Sequence, residues 1–132
     1  MEAEILKHAN ILIEHFGQGR IEAYFDCFTK DASFLFYNHK DRLTSRSDYE
    51  TLFESWRREV NFEVLSCRST NQMVQILGDT AIFLHDVTTK ISISDEISTV
   101  FERESIVFQR QGDGRWLACH EHLSARPTGD AA

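Results

Sequence analysis

Little in these 132 residues suits metal, disulfide or phosphate chemistry. The three cysteines, Cys27, Cys67 and Cys119, are odd in number, far apart and without a CxxC pair. That argues against both a cysteine-rich zinc site and a disulfide framework, and they read as reduced packing residues. Basic residues are scarce: 14 Lys and Arg stand against 21 Asp and Glu, for a formal charge of −7. Phosphate binding needs clustered Lys and Arg, so neither nucleic acid nor an anionic membrane is an expected partner. Arg57-Arg58 reads as a solvated helix end. No Gly-rich loop is present to cradle a nucleotide. No run approaches the roughly eighteen apolar residues of a membrane span. The acidic start MEAEILKHAN lacks the basic-then-apolar pattern of a signal peptide, and the expected location is the cytoplasm.

What is present is aromatic and strand-rich. Ten Phe, three Tyr and two Trp in a chain that is 42% hydrophobic predict one packed domain over residues 1–127, with a frayed tail at 128–132. Ile5, Ala9, Leu12, Ile13 and Phe16 recur at three and four, the stripe of an amphipathic helix that Gly17 ends. Ile21, Tyr24, Phe25 and Phe28 repeat that spacing in a second helix, which cannot run far past Lys30. Ala32 to Tyr37 reads as a strand, with Leu43 on a short partner. Ser47 and Glu50 form a capping box ahead of Tyr49, Leu52, Phe53 and Trp56, a third helix. Long β-branched and aromatic runs follow, split at Gly78-Asp79, Asp95-Glu96 and Gln111 to Gly114, which predicts an antiparallel meander.

Helices first and a long sheet after them define an α+β domain, the sheet covering the apolar stripes of the helices. Curled around them, it makes a cone with an internal cavity. Ala23-Tyr24, Phe53-Glu54, Gly78-Asp79-Thr80-Ala81 and the ending Trp116…His120-Glu121-His122-Leu123-Ser124 together resemble the SnoaL-like branch of the NTF2-like (cystatin-like fold) superfamily. The chain is also similar to the association domain of calcium/calmodulin-dependent protein kinase II. The resemblance implies a cone of N-terminal helices packed on a strongly curved antiparallel sheet. In association domains the positions matching Tyr24, Tyr49, Ser105 and Leu123 line the cavity. Val87, Ser105 and Leu123 stand here where that domain has basic residues.

The last hairpin decides which side chains meet. A three-residue loop Gly112-Asp113-Gly114, with Gly114 left-handed, pairs Gln111 with Arg115. Continued without a break, that register sets Arg103 opposite Leu123, Ser105 opposite Glu121, Glu104 opposite His122 and Ile106 opposite His120. Glu121 and Arg103 then form a polar pair inside the cavity, and Trp116, His120, His122 and Ser124 share the outer face. A four-residue loop would pair Arg103 with His122 instead, because a one-residue slip swaps every face.

Two readings of the Glu121 region stay open. In one, Glu121 and Tyr24 are catalytic groups and Arg103, Tyr49, Trp56, His85 and Phe36 hold a small, partly apolar ligand. In the other, Glu121 and Arg103 are a buried ion pair among stacked core aromatics. For His120 and His122, one strand face could present a metal pair with Glu104 as third ligand. The alternative, which we adopt, places both with Trp116 at a homodimer interface and expects neither metal nor cofactor. Ser124 has no base positioned by sequence for a Ser-His nucleophile. The function expected is small-molecule binding with isomerase- or cyclase-like proton transfer; the alternative is a non-catalytic dimerisation or association module.

Overall fold

The computed structural model describes residues 1–127, so the expected tail at 128–132 lies outside the described residues. Three helices pack against a curled, five-stranded, mostly antiparallel sheet. The helices are α1 (Glu2–Gly17), α2 (Ile21–Asp26) and α3 (Arg46–Val60). The strands are β1 (Phe28–Phe36), β2 (Glu63–Leu77), β3 (Thr80–Ile93), β4 (Glu96–Arg110) and β5 (Trp116–Ala125), in the spatial order β1-β5-β4-β3-β2.

The helix stripes become the helical side of the core: Ile5, Ala9, Leu12 and Ile13 of α1 and Tyr49 and Phe53 of α3 are buried. At Gly17, α1 closes onto β2, where an added Cβ would come within 3.0 Å of the Cys67 Cβ. The second helix stops at Asp26, earlier than its spacing predicts, and Phe28 opens β1 instead. Tertiary hydrogen bonding overrides the helical pattern there: the Ala118 amide donates to the Cys27 carbonyl at 2.8 Å, and β1 runs on in parallel with β5. The short partner is found as a bridge between Phe34 and Leu43.

The cap of α3 lies two residues before the predicted box. The Asp48 amide donates to the Ser45 hydroxyl at 3.0 Å, and the Asp48 carboxylate accepts from the Thr44 amide at 3.2 Å. Ser45 is the N-cap because its extended backbone turns its hydroxyl onto the open amides, whereas Ser47 is already inside the helix. The three long strands β2, β3 and β4 form the expected meander. Among the described residues no helix is long and apolar enough to cross a membrane.

Candidate functional site

The site is set by one irregularity in β5. Next to the hairpin the pairing is as expected: the Gln111 amide donates to the Arg115 carbonyl at 2.7 Å, and Gly114 has φ +88°. Phe108 faces Ala118, but the next rung joins Val107 to His120, leaving Cys119 unpaired in a β-bulge. Two residues oppose one at a bulge, so every later side chain changes face. Arg103 therefore pairs with Ser124, Glu104 with Leu123, Ser105 with His122 and Ile106 with Glu121. The unbroken register expected from sequence fails at this point.

Three placements are corrected by it. Arg103 does not accompany Glu121: it points away from the cavity, half-exposed, with Nε 3.7 Å from Asp86. Trp116 does not share a face with His120 and His122: only 2% exposed, it belongs to the core with Ala118. Glu104 lies on the face opposite the two histidines and cannot complete a ligand set with them. Among the described residues no group of three or more His, Cys, Asp or Glu is placed to hold a metal ion.

Between the helices and the concave sheet lies a cavity of about 300 Å³. Tyr24 of α2, Tyr49 and Trp56 of α3, Phe36 of β1, His85 of β3 and Glu121 of β5 all line it, so six of the predicted residues converge. Sequence reasoning missed Glu102 and Glu104 as cavity residues. The signal for them was available, because Glu102, Glu104, Ile106 and Phe108 alternate along β4 and the last two are apolar.

The polar groups form three hydrogen-bonded sets. The Tyr24 hydroxyl lies 3.2 and 3.3 Å from the two Glu121 carboxylate oxygens and donates to them, and the Tyr49 hydroxyl is 3.3 Å from that of Tyr24. His85 Nε2 is 2.7 Å from Glu104 Oε1, while its Nδ1 is 2.7 Å from the Ser69 hydroxyl. Glu104 and Glu121 project from neighbouring strands into the same cavity, near enough for each to act on the other's charge. At the edge, the Tyr37 hydroxyl donates to Glu102 at 2.7 Å.

Burial dominates the electrostatics. Glu121 sits between Phe34 and Ile106 on its two neighbouring strands, 3% exposed. Desolvation, then the adjacent Glu104, raises its pKa well above the usual carboxyl value. Glu104 is pushed up to about 8 by burial. Burial lowers His85 to about 4, so its ring is neutral at pH 7. Burial raises both cavity tyrosines, and raises the Cys67 thiol to about 12. Two neighbouring carboxyls that burial biases toward holding protons are an arrangement able to donate and accept a proton at one place.

His120 and His122 lie on the outer face, His120 half-buried and His122 exposed, their ring centroids 6.4 Å apart, with His120 Nδ1 2.8 Å from the Ser33 hydroxyl. Burial, then the neighbouring His122, lowers the His120 pKa.

A helical cap on a curled sheet enclosing a cavity is the cystatin-like cone of NTF2-like proteins. The SnoaL-like domain family matches residues 5–128, and the chain belongs to that family. Solved structures share the fold at low identity. A protein from Catenulispora acidiphila in complex with S-DNPA is 17% identical, with a TM-score of 0.77 over 94% of this chain and 92% of that one. A ketosteroid isomerase-like protein from Erwinia carotovora atroseptica is 15% identical, with a TM-score of 0.78 over 96% of each chain. A provisionally assigned calcium/calmodulin-dependent protein kinase II association domain from Xanthomonas campestris is 21% identical, with a TM-score of 0.77 over 94% of this chain and 86% of that one. None of the curated proteins matches the chain.

Proposed function

We propose that this chain is a single-domain, small-molecule-binding protein whose cavity takes a partly apolar ligand. Glu121 and Tyr24 are the groups that exchange a proton with it, in a step of isomerase or cyclase type. The observation that carries the reading is a carboxylic acid, Glu121, held among apolar side chains at the cavity wall with the Tyr24 hydroxyl on it and Glu104 beside it. Burying such a group is costly, and three ionisable carboxyl groups in one aromatic pocket serve no packing purpose. Tyr49, Trp56, Phe36 and His85 then shape and line the ligand site. Arg103, turned outward, has no part in it.

The second reading is an association module acting as a homodimer through the outer sheet face. It is favoured by a row crossing all five strands, Met73, Leu84, Ser105, His122 and Leu35, in which Met73 and Leu35 are exposed apolar side chains. Exposed apolar surface of this kind suits an interface.

Native mass spectrometry of the untagged protein as purified separates the two. Extra non-metal mass that disappears in Glu121→Gln or Tyr24→Phe supports the ligand site and reports its size. An empty, ring-like higher assembly favours the association module.

A further inference from the structure

We infer that the cavity takes an organic ammonium ion: an amine on a partly apolar body, its charged nitrogen held by Glu102, Glu104 and Glu121. The inference rests on the cavity reading above and names the ligand class for the same site. The cavity is a partly open, aromatic-walled space that carries three carboxyl groups, and among the described residues no Lys or Arg lines it. The cations nearby are engaged elsewhere. Arg46 donates to the Phe25 and Phe28 carbonyls, Arg103 turns out to Asp86, and Arg126 lies over the Phe101 ring and donates to Thr88.

The groups that do reach the carboxyls are neutral: the Tyr24 hydroxyl on Glu121, the Tyr37 hydroxyl on Glu102 and the His85 ring 2.7 Å from Glu104. Hydrogen bonds from neutral groups leave the negative charge of an ionised carboxylate uncompensated, and in a buried site the empty cavity answers by keeping protons. An entering ammonium replaces such a proton. Its N–H bonds to the carboxylate, and the displaced carboxyl proton leaves to solvent, so charge balances. Trp56, Phe53 and Phe62 stack against one another at tilted or edge-on angles on the wall, and π faces attract cations while repelling anions. A carboxylate ligand meets like charge, and a neutral ligand gains nothing from the acids beyond a hydrogen bond.

The pH dependence involves every ionisable group that faces Glu104: His85 on β3, Glu102 on β4, Glu121 on β5, Tyr24 on α2, Tyr49 on α3 and Cys67 on β2. Burial holds the hydroxyls and the thiol protonated and the imidazole neutral, which leaves the carboxyls as the groups that exchange protons near neutrality. Amine affinity therefore rises with pH as the carboxyls become easier to ionise.

The test is isothermal titration of the full chain with benzylamine, benzyl alcohol and benzoate, which share one ring and differ in head group, at about pH 6 and about pH 8, where benzylamine is protonated. At the higher pH benzylamine is expected to bind at least roughly ten-fold more tightly than benzyl alcohol. Proton release should be visible as a dependence of the measured heat on buffer ionisation enthalpy, and the preference should shrink at the lower pH. Glu104→Gln should bring the two ligands near parity while keeping benzyl alcohol binding. If that variant fails to fold, Glu102→Gln at the cavity edge makes the same comparison. Benzyl alcohol binding equal to or tighter than benzylamine overturns the ammonium inference and leaves the cavity reading standing. Binding of none of the three also overturns it, and retained mass on the purified protein then decides the cavity reading separately.

Discussion

His85 and Glu104 face each other across β3 and β4 with 2.7 Å between Nε2 and Oε1, yet burial holds the imidazole neutral and the carboxyl close to neutral. The two groups act oppositely on stability. A carboxyl raised from 4.5 to about 8 adds stability that is complete below its unfolded value and is lost as pH rises through 8. A histidine lowered from 6.5 to about 4 costs stability as pH falls through that interval, because the unfolded chain takes up the proton that the folded one refuses. Between 4.5 and 6.5 the slopes oppose each other. Above 6.5 only the carboxyl slope remains, and stability should fall toward pH 8 by up to about 1.4 kcal/mol per pH unit for each retained proton. Urea unfolding across this range should show the decline in the wild type and a flatter profile in Glu121→Gln. A wild-type stability that rises with pH here would mean that the fold holds these carboxyls ionised.

Gly17 is required for space. Its missing Cβ would come within 3.0 Å of the Cys67 Cβ and 3.1 Å of the Cys67 backbone nitrogen, and a strand backbone cannot yield as a flexible side chain does. Gly17→Ala should therefore destabilise by about 1–3 kcal/mol, the usual range for overpacking. Gly112 has nothing within 4 Å of the same added atom, so Gly112→Ala should lie within about 0.5 kcal/mol of wild type. Thermal unfolding of the two variants side by side tests the close approach of α1 to β2.

The α3 cap distinguishes two serines two positions apart. Ser45→Ala removes the hydroxyl that accepts from the Asp48 amide and should cost about 1 kcal/mol. Ser47→Ala, within the first turn, should be neutral or slightly stabilising, since Ala is the better helix former. Equal effects of the two, read by urea denaturation, would contradict the assigned cap.

The sequence is most legible where one local signal decides. The α1 stripe, the turns at Gly78 and Asp95 and the left-handed Gly114 each predict their element, and positive φ is found at all three turn positions. It is less legible where two signals compete. Ser45 and Ser47 both precede an acidic residue by three, and only backbone geometry selects between them. Phe28 continues a helical spacing but starts a strand, because pairing to β5 is a contact distant in sequence. The bulge at Cys119 is the costliest omission. Nothing in the residues from Trp116 to Leu123 marks which one drops out of the ladder, and that single residue exchanges Arg103 for Glu104 as the neighbour of Glu121. The convergence of Tyr24, Tyr49, Trp56 and Glu121 was within reach because helix stripes and strand alternation point inward whatever the partner.

Trp116 tests that bulge most directly. An unbroken strand places Trp116 on the outer face with His120 and His122; the observed one buries it to 2% exposure against the core, with the Arg110 guanidinium 5.6 Å from its ring centroid. A buried Trp cut back to Ala loses apolar contact and leaves a cavity, a cost of about 3–5 kcal/mol whatever the subunit number. His122→Ala, on the outer face, removes an exposed side chain and should change the stability of a single chain by about 0.5 kcal/mol or less. Urea denaturation at several protein concentrations separates the effects. A Trp116→Ala loss that is independent of concentration belongs to the core. A loss that grows on dilution belongs to an interface, and would return Trp116 to the outer face.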